Sequence, residues 1–331
     1  MDERRPFRML LVGDPHAAVE ELEDCRRLLA RIEFVAAAEH PDAIVFLGDQ
    51  HHTHAVVRVE VLDFWSKALK RLAEVTTAKI YMLVGNHDRS HDSGITAHGL
   101  RYADSGCVIV DGPVWASPGV LLLPWYATQE RFLAEAQDAP ADLLICHQTF
   151  DGSKYENGFY APDGIDAKLV RAPMIISGHI HTPQEFGKVW YPGAPRWRIA
   201  TDANTDRNIW LYEHYRDGAP VRRGWPTSGY CRALYHVVDV EGQELPEPEV
   251  QEPARITVDV HGSSDYVKAR LAFWKARGAL PRGFSTREVK SRVRESDGIV
   301  KALQKYVETW KSRHGTDTEV LKKMVGDRIH V

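Results

Sequence analysis

Five short polar clusters hold most of the residues in this chain that could perform chemistry. They are Asp14-Pro15-His16, Gly48-Asp49-Gln50-His51-His52, Gly85-Asn86-His87-Asp88, the single His147, and Gly178-His179-Ile180-His181. Carboxylate, imidazole and amide oxygen are donors suited to divalent metals. One histidine beside an apolar run is more often a hydrogen-bonded structural residue, but five such clusters in one order almost never coincide by chance. A glycine precedes Asp14, Asp49, Asn86 and His179, which predicts a sharp backbone turn as each side chain projects. His40, His54, His98, His214, His236, His261, His314 and His330 belong to no cluster and are read as structural.

Each cluster follows directly upon a short apolar run. Residues 7–12, 43–47, 80–84, 143–146 and 175–177 are expected to be buried strands. Residues 17–39 and 56–75 have helical periodicity and separate the first three strands, as βαβ crossovers do. In an α/β sheet the loops at the carboxyl ends of strands converge on one crevice, so the five clusters should meet in space. A second group of apolar runs, 107–110, 120–123, 209–212 and 234–240, has hairpin or meander character. The expected fold class is α/β, with two packed β-sheets flanked by helices.

Composition divides the chain. Residues 1–240 carry all five clusters and are expected to form the main domain. Residues 241–253 are acidic, proline-rich and aperiodic, which marks a linker. In 254–295, a small capping unit is expected from a strand at 255–260 and a capped helix at 264–276. Along 296–331, Ile299, Val300, Leu303, Tyr306, Val307 and Trp310 recur at three- and four-residue intervals on one helix face behind Asp297 as N-cap. A second short helix should start at Thr316-Asp317-Thr318-Glu319. Residues 254–331 carry 17 Lys+Arg against 9 Asp+Glu; with a whole-chain charge of −4, residues 1–253 are left at −12. The basic tail suits an acidic partner or nucleic acid, and equally a solvated face. No apolar run is long enough to span a membrane, the polar residues 1–5 lead to the expectation of no signal segment, and the four cysteines form no CxxC pair. A cytoplasmic protein with reduced thiols is expected.

The ordered set of clusters resembles the calcineurin-like metallophosphoesterases over residues 7–215. Position by position, the resemblance implies that Asp14, His16, Asp49 and His181 hold one metal. Asn86, His147 and His179 would hold the second, with Asp49 bridging. It places His87, a non-ligand, beside the scissile phosphate as proton donor. Asp88 would orient His87 or a neighbouring ligand, or would serve only as a turn residue. A narrower resemblance, to the SbcD-type nucleases of double-strand-break repair in a compact bacteriophage or bacterial form, rests on the residues after the last histidine pair. Gly178-His179-Ile180-His181-Thr182-Pro183-Gln184 is followed by Tyr191-Pro192-Gly193-Ala194-Pro195, where the family has a Tyr-x-Gly-Ser-Pro-like turn and Ala194 replaces Ser. His52 matches the family position that guides DNA, with His51 as an extra neighbour.

This likeness implies a DNA nuclease acting on double-stranded ends and single strands with two divalent ions, Mn2+ first and Mg2+, Fe2+ or Zn2+ as alternatives. It further implies a homodimer and a coiled-coil SbcC-like ATPase partner, docked by residues 296–331. Arg196, Arg198, Arg222 and Arg223, beside Trp197 and Trp225, could grip a phosphate backbone and stack on a base, or could line a solvated sheet edge. Two other readings stand: a phosphatase or cyclic-nucleotide phosphodiesterase for small substrates, and a non-catalytic scaffold. A small-substrate enzyme has no evident use for residues 254–331. A scaffold would be expected to have lost metal ligands, and all seven positions are present.

Overall fold

The computed structural model describes residues 5–90, 97–103, 106–137, 140–203, 205–244, 250 and 254–285. Two six-stranded sheets lie face to face. In the first, β1 (Phe7–Val12), β2 (Ala43–Phe46), β3 (Lys79–Leu83) and β4 (Val108–Val110) run parallel in that order. In the second, β5 (Val114–Ser117) pairs antiparallel with β6 (Val120–Leu122), and β6, β7 (Leu143–Cys146) and β8 (Met174–Ser177) run parallel. Beyond β8 lie β10 (Val189–Tyr191), parallel to it, and the edge strand β9 (Gln184–Phe186). The first sheet is completed on its far side by β11 (Asn208–His214) and β12 (Val221–Pro226), both antiparallel to their neighbours.

Strand residues alternate between two cores, which is why the runs are apolar throughout. Met9, Leu11, Val45, Tyr81 and Leu83 meet Leu122, Leu143, Ile145 and Ile176 between the sheets. Leu10, Val12, Ile44, Phe46 and Met82 face the other way, onto α1 (Leu22–Glu39) and α2 (Val59–Val75). Leu121, Leu144 and Ile175 likewise face Phe132 and Ala136 of α3 (Gln129–Gln137). Four layers result, as the sequence led one to expect. Both long helices begin later than their periodicity suggests. Ala17 is held in a bridge to His51, and a 3-10 turn at Val19–Glu21 precedes α1. Residues 53–58 form the loop before α2, where Ala55 adopts φ 60°.

The hairpin or meander reading of the second strand group holds only in part: β6 closes a hairpin with β5, and β11 one with β12. β4 and β6 join parallel ladders, because three or four apolar residues carry no record of strand direction. Residues 234–240 leave both large sheets altogether. As β13 (Ala233–Val240) they pair in parallel with β14 (Ala254–Gly262), which pairs in parallel with β15 (Leu280–Ser285). This third sheet therefore draws strands from both sides of residues 241–253. Ser263 caps α4 (Ser264–Ala276) through the Tyr266 N–H, and α4 packs Val267 and Trp274 onto Val237, Val258 and Val260. The two helices expected in 296–331 lie outside the described residues, as do residues 286–295 and most of the linker. No described helix is long and apolar enough to cross a membrane.

Asp239 anchors the third sheet to α4. Its carboxylate is 1 % exposed and accepts from Tyr266 Oη at 2.6 Å, Arg270 Nε at 2.7 Å and Trp274 Nε1 at 2.6 Å. Asp239→Ala would strand the buried indole N–H and leave the partly exposed guanidinium without its partner, so a loss of about 2 kcal/mol is expected. Chemical denaturation checks this; an unchanged midpoint would show the cluster to be dispensable.

Candidate metal centre

Every cluster sits just past the carboxyl end of a parallel strand: Asp14 and His16 after β1, Asp49 after β2, Asn86 and His87 after β3, His147 after β7, His179 and His181 after β8. Three come from one sheet and two from the other, so the centre spans the seam between them. Backbone bonds lock the loops together. His16 N–H donates to Asp49 O at 2.9 Å, Leu47 N–H to Val12 O at 2.9 Å, and Gly178 N–H to Cys146 O at 3.0 Å. Ser177 Oγ accepts from Gln148 N at 2.8 Å and ties β7 to β8 just beneath the histidines.

All seven expected donors converge. Around one point stand Asp14, His16 and His181, whose Nε2 atoms (His16 and His181) are 2.8 Å apart. Around a second stand Asp49, His147 and His179; Asn86 Oδ1 lies 3.0 Å from His147 Nε2 and 2.8 Å from His179 Nδ1. The Asp49 carboxylate is shared. Oδ1 is 3.4 Å from His147 Nε2, and Oδ2 is 3.6 Å from His16 Nε2. His87 and His52 form the outer side, close enough to His16 to make a third candidate group of three imidazoles. The ring of His87 lies 4.7 Å from that of His16 and stacks at 5.9 Å on that of His52. His87 Nδ1 meets His52 O at 2.6 Å, leaving Nε2 on the side of Asp49, 4.0 Å from Oδ2.

The glycines act differently from the expected sharp turns. Of the four, only Gly48 has positive φ, at 116°. A Cβ on Gly13 would lie 2.0 Å from Gly193 O, one on Gly85 2.2 Å from Asp49 Oδ1, and one on Gly178 2.5 Å from Leu47 O. They are places where the loops touch. Left-handed backbone falls instead on the donors: His16 at φ 46°, Asp49 at 52° and His179 at 80°. Each such residue costs on the order of 1 kcal/mol, a strain that the surrounding hydrogen bonds must hold in place.

Asp88 points away from the donors. It accepts from Gly85 N at 3.0 Å, Gln50 N at 3.3 Å and His51 N at 3.0 Å, and lies 3.1 Å from His51 Nδ1. It thus splices the Asp49 loop to the Asn86 loop, and it separates the two adjacent histidines: His51 turns inward to Asp88, His52 outward to the cluster. His54, read as structural, packs its ring 3.8 Å from that of His87 and places Nδ1 3.1 Å from Asn86 O. The proposed DNA grip of the arginines is overturned for Arg196, which is 1 % exposed and donates to Pro15 O, His16 O and Glu21. Arg198 also binds Glu21, Arg222 binds Glu185 while covering Trp190, and Arg223 pairs with Glu39. Trp197 is buried, with its indole N–H donating to Thr205 O. The Tyr191–Pro195 turn is a brace. Tyr191 Oη accepts from Phe150 N at 2.9 Å and donates to Gln148 O at 3.0 Å, while Ala194 N–H donates to His181 O at 2.9 Å. Sequence reading missed Glu21, Glu156 and Arg207. Glu156 Oε1 lies 2.8 Å from His181 Nδ1, and Arg207 donates to His181 O. None belongs to a motif, and a buried Arg carries no signal of its depth.

Electrostatics suit cations. Burial pushes His16 well below its ordinary value and His179 down to about 3, keeping both neutral as donors. Burial, then Arg198, brings His52 down to about 4. Burial works against ionisation of Asp49, yet His147, His16 and His87 hold its carboxyl well below the usual range. Burial likewise opposes protonation of His147, but Asp49 and Asp14 override it and carry the ring up to about 9. Burial raises Asp14, whose Oδ2 is buried with no hydrogen-bond partner. A carboxylate oxygen of this kind, with facing imidazole lone pairs, is satisfied by a divalent ion.

The His147 shift sets a pH dependence. Its folded value lies above the ordinary 6.5, so without metal its stabilising pair with Asp49 is full below pH 6.5 and is lost as the pH rises through about 9. A ligand ring must be neutral, so cation affinity should climb through that same window and binding at pH 7.5 should release protons. Calorimetry of Mn2+ binding in buffers of different ionisation enthalpy measures this; a heat independent of buffer would refute it.

A family model for the calcineurin-like phosphoesterases matches residues 7–183. No curated protein matches the chain at a significant level. The matched span runs from β1 past the last histidine pair and covers more than half of the chain, and the two donor groups within it fit the family's binuclear divalent-metal centre; the chain belongs to the calcineurin-like phosphoesterase family.

Proposed function

We propose that this chain hydrolyses phosphodiester bonds in DNA, as the nuclease subunit of an SbcCD-type complex. The observation that carries the phosphodiesterase reading is the shared Asp49 carboxylate between two donor groups, with two further imidazoles on the outer side. Asp14, His16, Asp49 and His181 would hold one cation, and Asn86, His147, His179 and Asp49 the other. When bound, two divalent cations neutralise the phosphate and lower the pKa of the attacking water. The chain's own groups do the rest. Asp49 accepts the His87 N–H at 2.8 Å, which fixes His87 beside the donors. His52 O accepts from His87 Nδ1, so that a protonated His87 would present Nε2 to the leaving alkoxide and give up its proton there. His52, whose ring stacks on that of His87, would position the substrate chain.

The DNA assignment rests on the SbcD-type resemblance of His52 and the Tyr191–Pro195 turn, and on the basic residues after 254. Mn2+ is the proposed metal; by affinity order Zn2+ binds such donors more tightly, so availability decides. The proposal extends to a homodimer and to a coiled-coil ATPase docked by residues 296–331. One observation favours the small-substrate reading instead: the arginines flanking the site are paired with acids, in a region of net negative charge. Mn2+-loaded protein assayed on labelled duplex DNA, single-stranded DNA and a chromogenic phosphodiester decides between them. Cleavage of the small diester alone would move the substrate to the second reading.

Two variants test the roles. Asp49→Ala should lower metal content at both sites and abolish hydrolysis, because one carboxylate serves both; full activity with unchanged stoichiometry would refute the assignment. His87→Gln should keep two metals while turnover falls by ~10²–10⁴-fold, the range of general acid catalysis. Metal loss in that variant, by elemental analysis, would make His87 a ligand.

A further inference from the structure

His181 is clamped more fully than its position at the end of a loop requires. Its carbonyl accepts from Ala194 N–H and from Arg207. Its ring lies between two partners: Nε2 faces His16 Nε2 at 2.8 Å, and Nδ1 faces Glu156 Oε1 at 2.8 Å. Glu156 belongs to no sequence motif. It stands on a tight hairpin closed by Tyr155 N–H to Phe159 O at 2.9 Å and Gly158 N–H to Tyr155 O at 2.9 Å. The base of that hairpin is fastened to the same segment that carries His181. Gln184 accepts from Lys154 N at 2.8 Å and donates to Lys154 O at 2.8 Å. The hairpin thus has a built purchase on the loop it addresses.

The other donor imidazoles are held differently. His147 Nδ1 meets the Leu47 carbonyl at 2.7 Å, His179 directs Nδ1 itself at Asn86 Oδ1, and His16 Nδ1 is buried with no partner. Asp14 Oδ1 also lies 3.4 Å from His147 Nδ1, but Asp14 is itself one of the donors; among these four described imidazoles, only His181 has a carboxylate from outside the donor set at its second ring nitrogen. A carboxylate that accepts from Nδ1–H selects the tautomer whose Nε2 lone pair is free, fixes the ring plane and makes Nε2 a stronger donor.

We propose that Glu156 is a positioning residue, which fixes the His181 ring and tautomer and thereby sets the cation affinity of the Asp14–His16–His181 group while leaving the Asn86–His147–His179 group unaffected. The inference rests on the reading above that His181 shares a cation with Asp14, His16 and Asp49.

Mn2+ titration of full-length metal-free protein, followed calorimetrically and by electron paramagnetic resonance, tests it. Glu156→Ala should weaken one of the two equivalents by ~10–100-fold, the range for loss of a group that orients a metal-bound histidine. The other equivalent and the melting temperature of the metal-free protein should not change. Glu156→Gln, which keeps an acceptor but loses the charge, should recover part of the loss. Wild-type affinity for both equivalents in Glu156→Ala would overturn the proposal. So would a parallel weakening of both equivalents with a lower melting temperature, since that is the behaviour of a purely structural hairpin. His181→Ala, run alongside, separates the underlying reading: if it too leaves both equivalents in place, His181 is not a ligand and the inference falls with that assignment.

Discussion

The Asp49 carboxylate is the group on which the rest of the centre depends. It is 1 % exposed, and three imidazoles surround it. Oδ1 accepts the His87 backbone N–H, so the same oxygen that faces the second donor group also fixes the loop bearing Asn86 and His87. That approach is possible because residue 85 has no side chain; a Cβ there would collide with Oδ1 at 2.2 Å. Asp49 itself sits in left-handed backbone. A buried carboxylate is costly without partners, and here the cost is offset by the positive and dipolar groups around it.

Around this group the chain builds a second ring of supports from distant sequence. Asp88 accepts three backbone N–H groups and joins the loops after β2 and β3. Arg196 reaches back about half the chain to hold the carbonyls of Pro15 and His16. Gly193 touches Gly13 on one side and His181 on the other, so the turn after β10 locks the first donor loop against the last. Removing strain at the donors would need movement of several such supports at once, which explains how three donors can remain in left-handed conformations.

The sheets and the donors were legible in the sequence because both obey local rules. A strand buried on both faces is a short uninterrupted apolar run, and loops at the ends of parallel strands must converge. Each of the five first-group strands starts or stops within a residue of its expected limits. Strand direction was not legible: β4, β6 and β13 are too short or too uniform to show whether a partner runs parallel, and β13 joins a sheet completed only after residue 253. The supports escaped detection for a related reason. Glu156, Glu21 and Arg207 gain their meaning from pairings across 25 to 175 residues, and nothing in their immediate sequence marks them.

The same contrast separates chemistry from substrate. Donors for cations are few, polar and fixed by steric rules, so their order along the chain is informative. Recognition of a polyanion depends on which cationic side chains remain available, and that is settled by pairing in three dimensions. Arg196, Arg198, Arg222 and Arg223 look alike in sequence; the structure commits each of them to a carboxylate. The Tyr191–Pro195 turn follows the same logic. Its residues buttress His181 and Gly13 from within the protein, which ties the motif to the integrity of the metal loops. Such a brace is useful to any phosphoester hydrolase of this architecture. The order of donors along the chain is silent on which groups would meet a substrate; on the outer side of those donors the structure sets the rings of His52 and His87.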